Sequence, residues 1–324
     1  MKAALCKSLD GPSALAIEEI DTPKAASGEV VIRVHVAALN HFDTLITRGK
    51  YQSKPDLPFS PSGEVAGVVA DVGPGVLGFQ RGQRVMAYLG WGGAREFVVA
   101  PAAMVVPIPE PVSDEAAASV AITYGTAVHG LKDRGRLKAG ETVAVLGASG
   151  GAGLAAIEIA KRMGARVIAC ASSDPKLEIS RTHGADVLIN YDTADLKIAL
   201  REATGSSGPD VVYDCVGGKY AEPALRALAW QGRYLVVGFA AGEIPKFALN
   251  LLLVKGIEAT GVFWGEAVRR DPPGHRANMT DVLGWVADGT LKPHIHATYP
   301  LDQIIEAIGV LERREATGKV LLRV

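Results

Sequence analysis

Apolar residues fall along this chain in two rhythms. Through about residue 110 they come in short runs, Ala3 to Cys6, Val30 to Ala38, Val65 to Val72, Arg84 to Tyr88 and Glu96 to Val99, separated by stretches rich in Gly and Pro. Regularly punctuated strands of this kind predict a small β-barrel or sandwich. From Ser113 the composition turns alanine-rich, and Asp114-Glu115 ahead of Ala116-Ala117-Ala118 predicts a helix with acids in its first turn. Beyond Val143 strands and helices alternate. The strands are Val143 to Leu146, Arg166 to Ala171, Asp186 to Asn190, Asp210 to Val216, Arg233 to Gly238 and Ile257 to Phe263. The helices between them are Leu154 to Met163, Asp174 to Thr182, Ala194 to Ala203, Tyr220 to Ala229 and Leu249 to Lys255. Such alternation specifies a parallel, doubly wound sheet. After Trp264 a break at Asp271-Pro272-Pro273-Gly274 precedes helices over Asn278 to Asp288 and Leu301 to Arg313 and a closing strand, Lys319 to Val324. One strand and two helices do not make a domain, so they are expected to rejoin the first, with the α/β portion as an insertion.

The first strand of the α/β portion empties into Gly147-Ala148-Ser149-Gly150-Gly151-Ala152-Gly153 before the helix begins. Glycine removes the side chain where backbone must approach a pyrophosphate, and the amides at a helix start face an anion along the positive end of the helix dipole. The stretch therefore predicts a dinucleotide site. Against G-x-G-x-x-G it reads Ala148-x-Gly150-x-x-Gly153, with alanine in place of the first glycine.

Composition narrows the classes. A formal net charge of −1 gives no basic stripe for nucleic acid. The longest runs without a charged residue, Ala116 to Leu131 and Thr142 to Ile157, are interrupted by glycine and fall short of the roughly 18 to 20 apolar residues of a membrane span. The N-terminus has no apolar core of a signal peptide. Cys6, Cys170 and Cys215, odd in number and widely scattered, predict reduced thiols in a cytoplasmic setting and cannot form a four-cysteine zinc site.

With these pieces placed, the whole chain resembles the medium-chain dehydrogenase/reductase superfamily, and within it the zinc-independent quinone oxidoreductases related to zeta-crystallin. The marks are Asn40-x-x-Asp43 with Arg48-Gly49-x-Tyr51, Gly63-Glu64-Val65-Ala66-Gly67, Tyr124-Gly125-Thr126-Ala127 and the glycine turn. Further along come Ile189-Asn190-Tyr191, Val237-Gly238-Phe239, Gly261-Val262-Phe263-Trp264-Gly265 and Ala316-Thr317-Gly318-Lys319-Val320. The resemblance implies a GroES-like β-barrel catalytic domain, residues 1–124 and 265–324, with an inserted Rossmann domain, residues 125–264. It implies NADPH, a quinone or other α,β-unsaturated carbonyl as hydride acceptor, and a homodimer joined through the last Rossmann strand. In the zinc alcohol dehydrogenases of the superfamily a cysteine ligand stands where this chain has Asn40, and the histidine of Gly-His-Glu is here Gly63. No metal is expected.

Asn40, Tyr51 and Tyr124 are the expected donors to the developing oxyanion, with solvent completing protonation. The resemblance places Asn40, Thr126, Ser149, Gly150, Gly151, Ala152, Val216, Gly238, Phe239, Phe263, Trp264 and Lys319 against the cofactor. After the second Rossmann strand the acid that marks NAD sites is absent. Ser172 and Ser173 leave room for a 2′-phosphate, Lys176 can bring a charge to it, and Tyr191 can close the site beside the adenine. Asp174, just before Pro175, is expected to cap the helix and turn toward backbone amides. His294-x-His296 lacks a third ligand nearby and reads as surface or packing histidines. An enoyl-thioester reductase and a non-catalytic NADPH-binding or structural protein are the alternatives.

Overall fold

The structure, a computed structural model, describes residues 1–324 and divides into two compact units, Met1–Ile122 with Gly265–Val324, and Thr123–Trp264. In chain order the strands are β1 (Lys2–Cys6), β2 (Leu15–Glu19), β3 (Glu29–Leu39), β4 (Glu64–Val72), β5 (Arg84–Tyr88), β6 (Phe97–Pro101) and β7 (Val105–Pro107). They continue with β8 (Thr142–Leu146), β9 (Arg166–Ala171), β10 (Val187–Asn190), β11 (Val211–Asp214), β12 (Arg233–Val236) and β13 (Glu258–Gly261). The last two are β14 (Ile295–Pro300) and β15 (Lys319–Arg323).

The discontinuous unit is built on a seven-stranded sheet, ordered β14-β15-β3-β4-β5-β7 with β6 also on β3, beside the β1-β2 hairpin. The closing strand β15 pairs antiparallel with β3, which is how the chain's end returns to the first domain. Ile32, Leu39, Ile46, Val65, Val85, Ile308, Val320 and Leu322 share its core. Three strands were not read from the sequence. Two of them, β2 and β7, have five and three residues and little apolar contrast. The third, β14, alternates between half-buried and exposed positions. The sequence break at Pro272-Pro273 is instead the first turn of a helix, Pro272–Ala287, whose cap Asp271 accepts from Gly274 N at 3.0 Å. Proline is favoured there because the first helical amides have no intrahelical partner.

The continuous unit is a six-stranded sheet in the order β10-β9-β8-β11-β12-β13, every pair parallel. The order reverses between β8 and β11, the position at which open α/β sheets take ligands beyond their carboxyl ends. Its core includes Leu146, Ile168, Cys170, Leu200, Leu225 and Tyr234. At the outer edge β13 pairs only with β12.

Candidate functional site

In the continuous unit the glycine turn follows β8. Gly147 has φ 73, and its amide and that of Ala148 donate to Cys170 O at 3.0 and 3.1 Å, binding the turn to β9. The tight-turn glycine is thus Gly147, one residue before the position that the motif template assigns, since the left-handed conformation is needed where the strand ends. A Cβ on Gly153 would overlap the Gly147 carbonyl oxygen, so the third glycine lets helix and turn meet. A Cβ on Gly150 would meet nothing nearer than Gly147 O at 3.5 Å. The helix Gly151–Arg162 has no side-chain cap at Gly150, which leaves the amides of Gly151 and Ala152 to an external acceptor. A pyrophosphate fits this bare cradle on charge and on space. Ser149 is buried within the turn.

Ser172 and Ser173 follow β9, and Ser173, not Asp174, is the cap of the helix Asp174–Thr182. Asp174 is its first helical residue, and its Oδ1 accepts from Asn190 Nδ2 at 2.9 Å. The expectation that Asp174 turns to backbone amides is therefore corrected. Tyr191 is hydrogen-bonded with Ser172, and burial, with the Asp192 charge, pushes its phenol up to about 12. Its ring lies 4.2 Å from that of Tyr220, tilted by 39°, and the Tyr220 hydroxyl donates to Asp192. Lys176 is half-buried on the same helix as Asp174.

Beyond β11, Asp214 accepts from Val216 N at 2.7 Å, from Gly217 N at 2.9 Å and from the Tyr234 hydroxyl, and its burial holds the carboxyl above the usual range. These bonds shape the loop carrying Val216, which is buried. Gly238 and Phe239 follow β12 and are half-buried. Phe263 is 49% exposed, whereas Trp264 is buried with its indole over Gly125. Thr126 is half-buried on the helix Ala121–Val128. Tyr124 on that helix departs from expectation. Its hydroxyl donates to Glu158 Oε2 at 2.6 Å, and Glu158 Oε1 meets His183 Nδ1 at 2.7 Å. The single phenolic proton is held inside the unit, so Tyr124 is withdrawn as a donor to the acceptor.

In the discontinuous unit Asn40 caps the short helix His41–Ile46 at the end of β3, and Asn40 N donates to Asp43 Oδ2 at 2.8 Å. Lys319, at the head of β15, donates to Asn40 Oδ1 and Glu64 Oε1, both at 2.7 Å, and to Leu39 O at 3.2 Å. Asn40 Nδ2 donates to Glu64 Oε1 at 2.9 Å, and Glu64 Oε2 accepts from Ile122 N at 2.8 Å. An ammonium only donates and a carboxylate only accepts, which fixes the Asn40 amide with one Nδ2–H nearly unused, 3.5 Å from Ala38 O. All three Lys319 protons have acceptors and the side chain is 4% exposed, so Lys319 is corrected from a direct cofactor contact to an internal support of Asn40.

Asp43 is fully buried, accepts a second backbone bond from Ser62 N at 2.8 Å, and is pushed up to about 7 by that burial. Tyr51 is half-buried with its ring 5.2 Å from Phe42, and its hydroxyl has no partner within the protein. No three His, Cys, Asp or Glu side chains converge as a metal would require, and an amide and a glycine supply neither thiolate nor imidazole.

Glu158 and Asp214 were not singled out by sequence reasoning, and Asp43, Glu64 and Asn190 were read only as marks of the resemblance, with no role assigned. One signal was available: Glu64 and Lys319 each stand at the head of an apolar strand, opposite charges where a buried pair could form.

Two family models match the chain, an alcohol dehydrogenase GroES-like domain over residues 26–110 and a zinc-binding dehydrogenase over residues 151–285. Quinone oxidoreductase-like protein 2 of Rattus norvegicus is 38% identical over 99% of this chain and 91% of its own length. The quinone oxidoreductase of Homo sapiens is 30% identical over 99% of this chain and 97% of its own length. A mycobacterial protein solved in complex with NADPH superposes with a TM-score of 0.94 at 30% identity, covering 100% of both chains. Matched in this way from end to end, the chain belongs to the quinone oxidoreductases of the medium-chain dehydrogenase/reductase superfamily and is an oxidoreductase.

Proposed function

We propose that this oxidoreductase uses NADPH to reduce quinones or other α,β-unsaturated carbonyl compounds, without a metal. The observation that carries the reading is Asn40. At the position where the zinc enzymes of the superfamily hold a metal ligand, the chain sets an amide clamped by Lys319 and Glu64, with one N–H left over. An alcohol would need a Lewis acid to steady its alkoxide, whereas a conjugated carbonyl is already electrophilic.

NADPH, when bound, supplies the hydride. The amides at Gly151 and Ala152 hold its pyrophosphate, while Ser172, Ser173 and Lys176 receive the 2′-phosphate and Tyr191 closes the site beside the adenine. The Asn40 N–H that only the distant Ala38 O engages and the Tyr51 hydroxyl donate to the oxygen on which charge develops. Water delivers the proton that completes the hydroquinone or saturated carbonyl. The outer edge of β13, together with Leu249, Leu253 and Val254 at 77%, 80% and 63% exposure, offers the surface for a homodimer.

The test is NADPH oxidation by the purified protein with a panel of quinones, enals and enoyl thioesters, before and after chelation. Turnover of quinones or enals that survives chelation is expected. Turnover confined to enoyl thioesters, loss on chelation, or no oxidation with any acceptor would each overturn the reading.

A further inference from the structure

Asn190 closes β10 and pairs in register with Ala171 at the end of β9, which sets its side chain beside the start of the helix Asp174–Thr182. Both ends of its amide are used. Nδ2 donates to Asp174 Oδ1 at 2.9 Å, and Oδ1 accepts from Asp192 N at 3.2 Å. The orientation is fixed by chemistry, because an ionised carboxylate can only accept and a backbone N–H can only donate.

Two carboxylates thus stand among the groups proposed to receive the 2′-phosphate, and each is held by a donor of the protein. Asp192 is held by Tyr220, whose ring packs at a tilt against Tyr191, and Tyr191 is bonded with Ser172. Asp174 is held by Asn190 alone among side chains. Asp174 lies only two residues past Ser172, where a free carboxylate could accept a ribose 2′-hydroxyl or face a 2′-phosphate with like charge.

We infer that Asn190 is a determinant of cofactor preference: by holding Asp174 in the first turn of its helix, it keeps a carboxylate from opposing the 2′-phosphate. The inference rests on the NADPH reading above. It assigns to a neutral amide, which need not touch the cofactor, part of the discrimination between phosphorylated and unphosphorylated ribose.

The experiment is calorimetric titration of the full chain with 2′,5′-ADP and with 5′-AMP, for wild type, Asn190→Ala and the double variant Asn190→Ala/Asp174→Ala. Wild type is expected to bind 2′,5′-ADP more tightly. Freeing one carboxylate should lower the ratio of the two affinities about three- to tenfold. The drop should shrink as salt is raised, because an exposed like charge is screened. Removing Asp174 as well should restore the ratio. A purely structural role would weaken both ligands alike and would not be rescued, and either result overturns the inference while leaving the NADPH reading intact. A wild type with no preference for 2′,5′-ADP would instead overturn the NADPH reading, and this inference with it.

Discussion

Lys319 and Glu64 carry opposite charges in a space almost without water, at 4% and 1% side-chain exposure. Desolvation of such a pair is offset only when every remaining donor and acceptor is satisfied, and here Asn40, Leu39 O and Ile122 N complete the set. Glu64→Gln removes the carboxylate bonded to the ammonium. It should cost about 3–5 kcal/mol in denaturant unfolding, and adding Lys319→Met should recover much of that loss. A double variant as unstable as the single one would show that the pair is not a unit. The same network marks the limit of what residue-level reading could reach. Asn40 was legible as a candidate site residue from its motif, but the direction of its amide depends on a lysine 279 residues away in sequence. Tyr124 was misread for a similar reason, since its partner Glu158 is on a later helix and faces inward.

Elements were more legible than contacts. The six Rossmann strands and the five helices between them were foreseen, with ends displaced by at most three residues, because the alternation of apolar runs and glycine stops is strong there. The glycine turn was found and its first position misplaced, since φ is not written in a residue's name and Gly147 could be told from Ala148 only by the backbone. Gly153→Ala tests the turn directly. Its new Cβ must push against the Gly147 carbonyl, so the variant should lose about 1–3 kcal/mol of stability and bind NADPH more weakly in fluorescence titration. Tight cofactor binding in the variant would mean that the turn yields easily. The strand β13 carries a different expectation. With Glu258, Ala259 and Gly261 exposed along an edge that has a single neighbour, sedimentation at micromolar concentration should give a dimer. A proline at Thr260 should shift that equilibrium toward monomer if the edge is the contact.

For the molecule as a whole, two of the buried groups through which pH acts have opposite sense. Asp43 has its folded value, about 7, above the ordinary 3.8, so its contribution is fully present below about 4 and lost as pH rises through 7. His275, on the helix Pro272–Ala287, is lowered by burial from 6.5 to about 4, so its contribution is present above 6.5 and lost as pH falls through about 4. The two slopes oppose each other over nearly the same window. Between about pH 5 and about pH 7 the slope of unfolding free energy against pH should therefore be more positive in Asp43→Asn than in the wild type, and more negative in His275→Leu. Parallel curves for all three would remove both groups from the account.

The return of β15 to β3 also bears on how the protein is made. Translation delivers Glu64 255 residues before the lysine that neutralises it, and the contiguous unit Thr123–Trp264 leaves the ribosome whole in the interval. That unit can fold during synthesis, while the barrel waits with a carboxylate that has no cation to meet. Nascent or prematurely terminated chains lacking the last strand would then carry a finished nucleotide fold beside an open barrel. Cellular quality control would meet them as a recognisable class: protease-resistant in the middle of the sequence and labile at both flanks.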